Sequence, residues 1–331
     1  MLALAGSVKP AWQRFLDVYE PLRPELYRYC RYLTHSPWDA EDLVQDTLAR
    51  AFATLGRLFQ PPPNPRAWMF RVASNLWIDR TRRRREQALS PGDAEPSVAG
   101  REPRAEREAA GTLIAQLSPQ ERAAVVLKDV FELTLDEVAD ALATSAASVK
   151  TALHRGRSKL TALDARSTLE ALEPPEARGP STRVLDAFCD AFNARDLPRL
   201  TALLLDTSVV ELVGVVTEYG PEASSDPQTG SLPGFLAPIT RNQNGAGIDG
   251  RHLEGYLPEP PRVEVREHRG ERILLYWYAH RDGEAVRSVA RAASDGDHLA
   301  HLRHYFFIPD VIAEVCGELG VPFRTNGYRY W

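Results

Sequence analysis

The 331-residue sequence predicts a multidomain chain in which two all-α parts precede an α+β domain. Three observations carry that prediction. Apolar residues in the first half recur at three- and four-residue steps, the period of a helix buried along one face. Two stretches rich in Pro, Gly, Ser and charge, 87–108 and 167–181, interrupt the pattern and act as linkers. Beyond the second linker, runs of β-branched and aromatic residues bounded by turn residues read as strands.

The elements follow in order. Phe15, Val18, Tyr19, Leu22, Leu26, Tyr29 and Leu33 mark the first helices. Ser36-Pro37 opens the next, with Ser36 as N-cap and Pro37 at the first helical position, and Leu43, Thr47, Leu48, Ala51, Phe52 and Leu55 form its stripe. Gln60–Pro65, with four prolines, forces a loop. A helix over Arg66–Arg85 carries Trp68, Phe70, Val72, Leu76 and Trp77 and ends in a basic run. In the second part, Ser118-Pro119-Gln120-Glu121 and Thr134-Leu135-Asp136-Glu137 are capping boxes. Helices over Leu135–Leu142 and Ala146–Leu160, joined by a tight turn, form a helix-turn-helix pattern. In the third part, helical stripes at Val184–Phe192 and Leu197–Leu204 precede strands at Val209–Thr217, Arg262–Glu267, Arg272–His280, Ala285–Ala293 and His298–Phe307. The stretch 220–250 is a long loop around a short helix, and Pro309–Leu319 is a final helix.

Charge divides the chain in the same way. Residues 1–166 carry 24 Lys+Arg against 21 Asp+Glu, and residues 167–331 carry 16 against 24, giving the net −5. A polyanion-binding first half joined to an acidic second half is the reading this asymmetry supports. With 21 Gly, 25 Pro and 3 Cys, the composition excludes a collagen-like chain or a disulfide scaffold. The longest apolar run, Ile273–Ala279, falls far short of the roughly 20 residues that span a bilayer, so no membrane span is expected. Met1–Pro10 lacks the pattern of an export leader. Cys30, Cys189 and Cys316 are widely spaced and odd in number, which fits free thiols in a reducing cytoplasm. Neither a metal site nor a cofactor is expected.

Two features bear on chemistry. Arg80–Arg85, basic at every position but Thr81, offers phosphates a surface at the end of an aromatic-bearing helix. Trp68, Phe70 and Trp77 beside it either stack on unpaired bases or fill the core. Residues 147–160 hold four basic side chains and no acidic one, which suits phosphate and guanine contacts. Gly156 within them costs about 1 kcal/mol against Ala in a helix interior; it either admits a close backbone approach to DNA or has no role.

The order and spacing of these motifs resemble a known family. Asp39-Ala40-Glu41-Asp42-Leu43-Val44-Gln45-Asp46-Thr47, the proline loop and Trp68–Arg80 resemble region 2 of extracytoplasmic-function (ECF) sigma factors of bacterial RNA polymerase. Leu117–Arg122, Leu135–Ala139 and Ser148–Leu160 resemble their region 4. The resemblance covers residues 10–166 and assigns region 2 to 10–86 and region 4 to 109–166. It implies that Asp42, Gln45 and Asp46 face the β′ clamp helices of core polymerase, and that region 4 docks on the β flap. It implies that Asn75, Asp79, Arg80, Arg82, Arg83 and Arg84 face the −10 element. Asn75 and Asp79 serve equally well as intrahelical bonding partners. In the −35 major groove it implies Ser148, Lys150, Thr151, His154, Arg155 and Arg157, with Val149 and Leu153 facing inward. The triple proline Pro61–Pro63 departs from the family's loop, and the linker 87–108 matches the segment that threads toward the RNA exit path.

Phe188–Leu197, followed by Leu200-Thr201-Ala202-Leu203-Leu204, resembles the opening of SnoaL-like domains of the cone-shaped nuclear-transport-factor-2-like fold. This resemblance implies that 182–331 is a fused regulatory domain, with a small ligand or a partner protein as its effector. The Asp-Gly-Gly-Gly-Lys motif of one fused group is absent. Acid/base candidates in this domain are His252, His268, His280, His298, His301, His304, Asp282 and Asp310. His301 and His304, three apart on a strand, point to opposite faces; no residue is assigned a catalytic role, and the chain is read as no enzyme. Two alternatives remain: a cyclase- or isomerase-class enzyme carrying a DNA-binding module, and a ligand-responsive transcription regulator.

Overall fold

The computed structural model describes residues 15, 17–55, 62–89, 117–164, 182–238, 257 and 259–328. Pro61, most of the first linker, the second linker, His252 and the chain after Tyr328 lie outside them. Two compact units, 1–174 and 175–331, divide the chain within the second linker.

The first unit is all-α. A 3-10 turn, Glu20–Leu22, leads into α1 (Arg23–Thr34), and α2 spans Pro37–Leu55. The Ser36 hydroxyl accepts from Asp39 N at 3.3 Å, which caps α2 as the Ser-Pro signal predicts. Helix α3 spans Pro65–Leu89, longer than expected at both ends. Asn64 caps it through Ala67 N (3.0 Å), so Pro65 takes the first position, where a missing N–H costs nothing. Good helix formers, Glu86-Gln87-Ala88-Leu89, carry its end into the linker.

Helix α4 (Pro119–Val125) continues into a π-turn, Val126–Val130, which the sequence did not signal. Then come α5 (Leu135–Ala141) and α6 (Ala146–Asp164). Both capping boxes form, at Ser118/Glu121 and Thr134/Glu137. The two all-α parts pack against each other: Phe131, just past the π-turn, lies against Phe70 (5.2 Å between ring centroids) and Tyr29 (5.8 Å).

The second unit is α+β. It runs α7 (Thr182–Asn193), α8 (Leu197–Ala202), β1 (Leu204–Leu212), β2 (Val216–Tyr219), α9 (Gly220–Ser225), α10 (Ser231–Leu236), β3 (Arg262–His268), β4 (Glu271–His280), β5 (Gly283–Asp295), β6 (His298–His304) and α11 (Pro309–Leu319). One six-stranded sheet results, in the order β2-β1-β6-β5-β4-β3, antiparallel throughout except where β1 lies parallel to β6. The single strand expected over 209–217 is two, because Gly214 at φ 80° turns the chain back between β1 and β2. The leucine run 203–205 fits either period; the helix stops at Ala202 and its last leucines begin β1. One face of the sheet packs with Val184, Leu185, Phe188 and Phe192 of α7 and with Leu232 and Phe235 of α10 into a single apolar core. The Asn193 side chain fixes α7 to the edge strand by bonding both Val263 N (2.8 Å) and Val263 O (2.9 Å).

Candidate nucleic-acid interface

Helix α3 has two unlike sides. Met69, Phe70, Ala73 and Trp77 are buried, while Arg71, Asn75, Arg82, Arg83 and Arg84 are exposed. The two readings of the aromatic residues therefore resolve toward the core. Phe70 stacks among Tyr29 and Phe131, Trp77 lies under the Arg122 guanidinium at 5.1 Å, and half-buried Trp68 packs on Tyr19 at 5.8 Å. Asp79 accepts from Arg82 Nη2 at 3.0 Å, an intrahelical pair, and Asn75 is exposed. Arg80 pairs with Asp46 of α2. That contact joins two expected surfaces, since Asp46 is one of the three α2 residues, with Asp42 and Gln45, that the resemblance assigns to polymerase. Gln45 Nε2 donates to Glu41 Oε1 at 2.6 Å, and Glu41, fully buried, also pairs with Arg23. Of the six α3 residues, Arg83 and Arg84 are most available to phosphate; Arg80 and Arg82 must exchange an internal partner.

The helix-turn-helix is built from local bonds. Ala143 turns the chain at φ 49°, and Ser145 caps α6 through Ser148 N (3.2 Å). Val149 and Leu153 point inward, as expected, and Ser148, Lys150, Thr151, His154, Arg155 and Arg157 are exposed. They differ in freedom. Thr151 Oγ1 donates to Ala147 O (3.0 Å), and Arg157 Nε donates to Asp129 Oδ2 (3.0 Å), whereas Lys150, His154 and Arg155 face solvent. Gly156 is buried: a Cβ there would lie 2.8 Å from Val125 Cγ2. The glycine lets α6 press onto α4, and closeness to DNA is not its reason. Lys159 fastens the same crossing to Glu121 at 2.7 Å.

A seam joins the surfaces of the two all-α parts. Beside the Phe131 ring cluster, Arg66 binds Glu25 (2.9 Å) and donates to Phe131 O (3.3 Å). Arg122 Nη1 donates to Leu33 O at 2.5 Å, and burial pulls its guanidinium down to about 10, still charged at neutral pH. Sequence reasoning missed this seam, because carbonyl acceptors leave no trace in side-chain pattern.

In the α+β unit the acid/base candidates are dispersed. His268 lies 2.7 Å from Glu318, Asp282 pairs with Arg324, and Asp310 accepts from Tyr328 (2.7 Å). His301 faces Glu211 at 3.7 Å on one side of the sheet, and His304 is buried on the other, as their spacing predicts. Among the described residues, no group of three His, Cys, Asp or Glu could hold a metal ion, and no helix is long and apolar enough to cross a membrane.

Comparison with known proteins adds identity to this geometry. The Sigma-70 region 2 profile matches residues 18–87, and the Sigma-70 region 4 profile matches residues 107–160. The ECF sigma factor EcfG of Rhodopseudomonas palustris is 31% identical over 147 residues, 42% of this chain and 79% of that protein. This chain belongs to the ECF RNA polymerase sigma factors. Among its relatives, SigG of Mycobacterium tuberculosis is 31% identical over 247 residues, 64% of this sigma factor and 65% of SigG, so the chain spans about two thirds of that relative's length. SigJ of the same organism is 28% identical over 299 residues, 78% of this chain and 89% of SigJ. The crystal structure of SigJ covers 88% of the chain and 95% of its own at 21% identity and a TM-score of 0.31. An NTF2-like protein of Cytophaga hutchinsonii covers 39% of the chain and 91% of its own at 11% identity and a TM-score of 0.24.

Proposed function

We propose that this ECF sigma factor binds bacterial core RNA polymerase, recognises −10 and −35 promoter elements and starts transcription, with its activity controlled by the fused C-terminal domain. In this reading 10–86 is region 2, 109–166 is region 4 and 182–331 is a SnoaL-like regulatory domain, working in the cytoplasm. The chain acts by binding and carries out no reaction of its own. One observation carries the proposal: the region 2 and region 4 matches each bear an exposed basic surface, Arg82–Arg84 on α3 and Lys150–Arg155 on α6.

The seam adds a consequence. Elements named −10 and −35 lie about 25 base pairs apart, about 85 Å at 3.4 Å per base pair. Within the first unit, α6 touches α4 at Val125, Arg122 of α4 touches Trp77, and Arg82 is five residues on, about 8 Å along the helix. Surfaces linked so closely cannot reach both elements, so the seam must part for promoter binding. Pull-down of core polymerase followed by run-off transcription tests the reading. Retention on core with promoter-dependent transcripts is the expected result, and no retention overturns it.

A further inference from the structure

The side of the α+β sheet covered by α7 and α10 carries polar groups that the protein leaves unsatisfied. Strand register sets Tyr276 opposite Ser288, Leu274 and His304 opposite Ala290, and Leu302 opposite Val210, all on one face. Ser208, two residues before Val210 on β1, shares that face. Against it pack Phe192 of α7, edge-on to Tyr276 at 5.2 Å, and Phe235 of α10. His304 Nδ1 is 3.2 Å from Ser288 Oγ. Tyr276 Oη, His304 Nε2 and Ser208 Oγ have no hydrogen-bond partner, although these residues are 0%, 1% and 0% exposed.

Buried polar atoms in native proteins are almost always bonded, and an orphan costs its full desolvation penalty. Three on one face of one interior form a polar set that no side chain or backbone group of the protein satisfies. The shape of a group that would satisfy it is indicated by what occupies the space: the Phe235 ring lies flat on the His304 imidazole, 4.1 Å away and tilted by 11°. Phe235 belongs to a six-residue helix with no side-chain N-cap, held at its first residue by Glu218 on Ser231 N (3.0 Å). Burial also keeps the imidazole and the Tyr276 phenol uncharged near neutral pH. A charged guest would lose its hydration without a counter-charge, whereas a neutral one loses little.

We propose that this helix-covered face binds an uncharged, flat, mainly apolar molecule bearing a hydroxyl or carbonyl group, which displaces the Phe235 ring from His304 and bonds Tyr276 Oη, His304 Nε2 and Ser208 Oγ. Its regulatory meaning rests on the control read above. Its binding test contains neither polymerase nor DNA, so the two ideas fail separately.

Calorimetric titration of the full chain with 2-naphthol, naphthalene and 2-naphthoate is the experiment. The hydroxyl compound should saturate a single site about tenfold more tightly than either of the others. Phe235→Ala should tighten 2-naphthol by opening its place. Tyr276→Phe should weaken 2-naphthol by about tenfold while the melting temperature holds or rises, because an orphan hydroxyl has been removed. A merely structural tyrosine gives no such split. Absence of saturable binding to both wild type and Phe235→Ala, meaning that buried water alone fills the orphans, overturns the proposal. Equal affinity for the three compounds, or 2-naphthol affinity unchanged in Tyr276→Phe, does so as well.

Discussion

At Gly156 two energies of opposite sign meet. Alanine would gain about 1 kcal/mol of helix propensity there. Its Cβ would also drive into the buried, β-branched Val125, and overpacking of that kind costs about 1–3 kcal/mol. Packing wins in this balance, so Gly156→Ala should lower the melting temperature of the all-α unit; an equal or higher value would mean that α6 can slide off α4. Neighbouring arginines separate in the same manner. Arg155 is exposed without an internal partner, and Arg157 leans on Asp129. Arg155→Ala should therefore weaken −35 binding by about 1–3 kcal/mol if it reads a base, or reduce the salt slope by about one if it holds a phosphate. Binding unchanged across a salt series would remove Arg155 from the interface.

Among elements, α3 and α11 make distinct predictions. Alanine at Arg82, Arg83 and Arg84 should reduce open-complex formation more than core binding, because these side chains point away from the Phe70–Trp77 core. Equal losses in filter-binding and pull-down assays would place the run on polymerase instead. On α11, burial raises the Glu318 carboxyl, but His268 and Arg269 outweigh it and hold it at about 2. A depressed carboxylate contributes stability above its unfolded value and loses it as pH falls toward 2. Acid unfolding of the α+β unit should accordingly steepen below about pH 4.5, and Glu318→Gln should flatten that limb; identical curves would detach Glu318 from the fold's pH response. Caps and capping boxes made α2, α4 and α5 legible in the sequence, since Ser36, Ser118 and Thr134 act on their own neighbours. The π-turn after Val125 and the β1–β2 break at Gly214 were not legible. The break is a local turn at one glycine inside a mostly apolar run and the π-turn is one extra residue within a continuous helical stretch, and neither changes the apolar period on which the reading rests. The inward Val149 and Leu153 of α6 and the exposure of the residues between and beyond them were legible from the helical spacing and the resemblance. The partners that engage Arg80 and Arg157 were not, because Asp46 and Asp129 lie 34 and 28 residues away in sequence.

For the whole molecule, the tether 167–181 joins the basic unit to the acidic one and keeps them at high effective concentration. Truncation after Arg178 should therefore change core binding or promoter-dependent transcription relative to the full chain; if both match, the C-terminal domain exerts no control. Within the all-α unit, Arg122→Ala should loosen the seam and raise the affinity for core several-fold, read by titration of labelled polymerase. A lower or unchanged affinity at retained helicity would mean that the seam does not compete with core. The seam's make-up has a thermal consequence. Rings such as Tyr29, Phe70 and Phe131 are drawn together by an attraction that fades on cooling, whereas contacts of arginine with phosphate do not depend on it. Cooling should thus loosen the joint between the two all-α parts and warming should tighten it, so that, where the joint has to part for promoter binding as proposed, temperature alone shifts the balance between closed and parted arrangements.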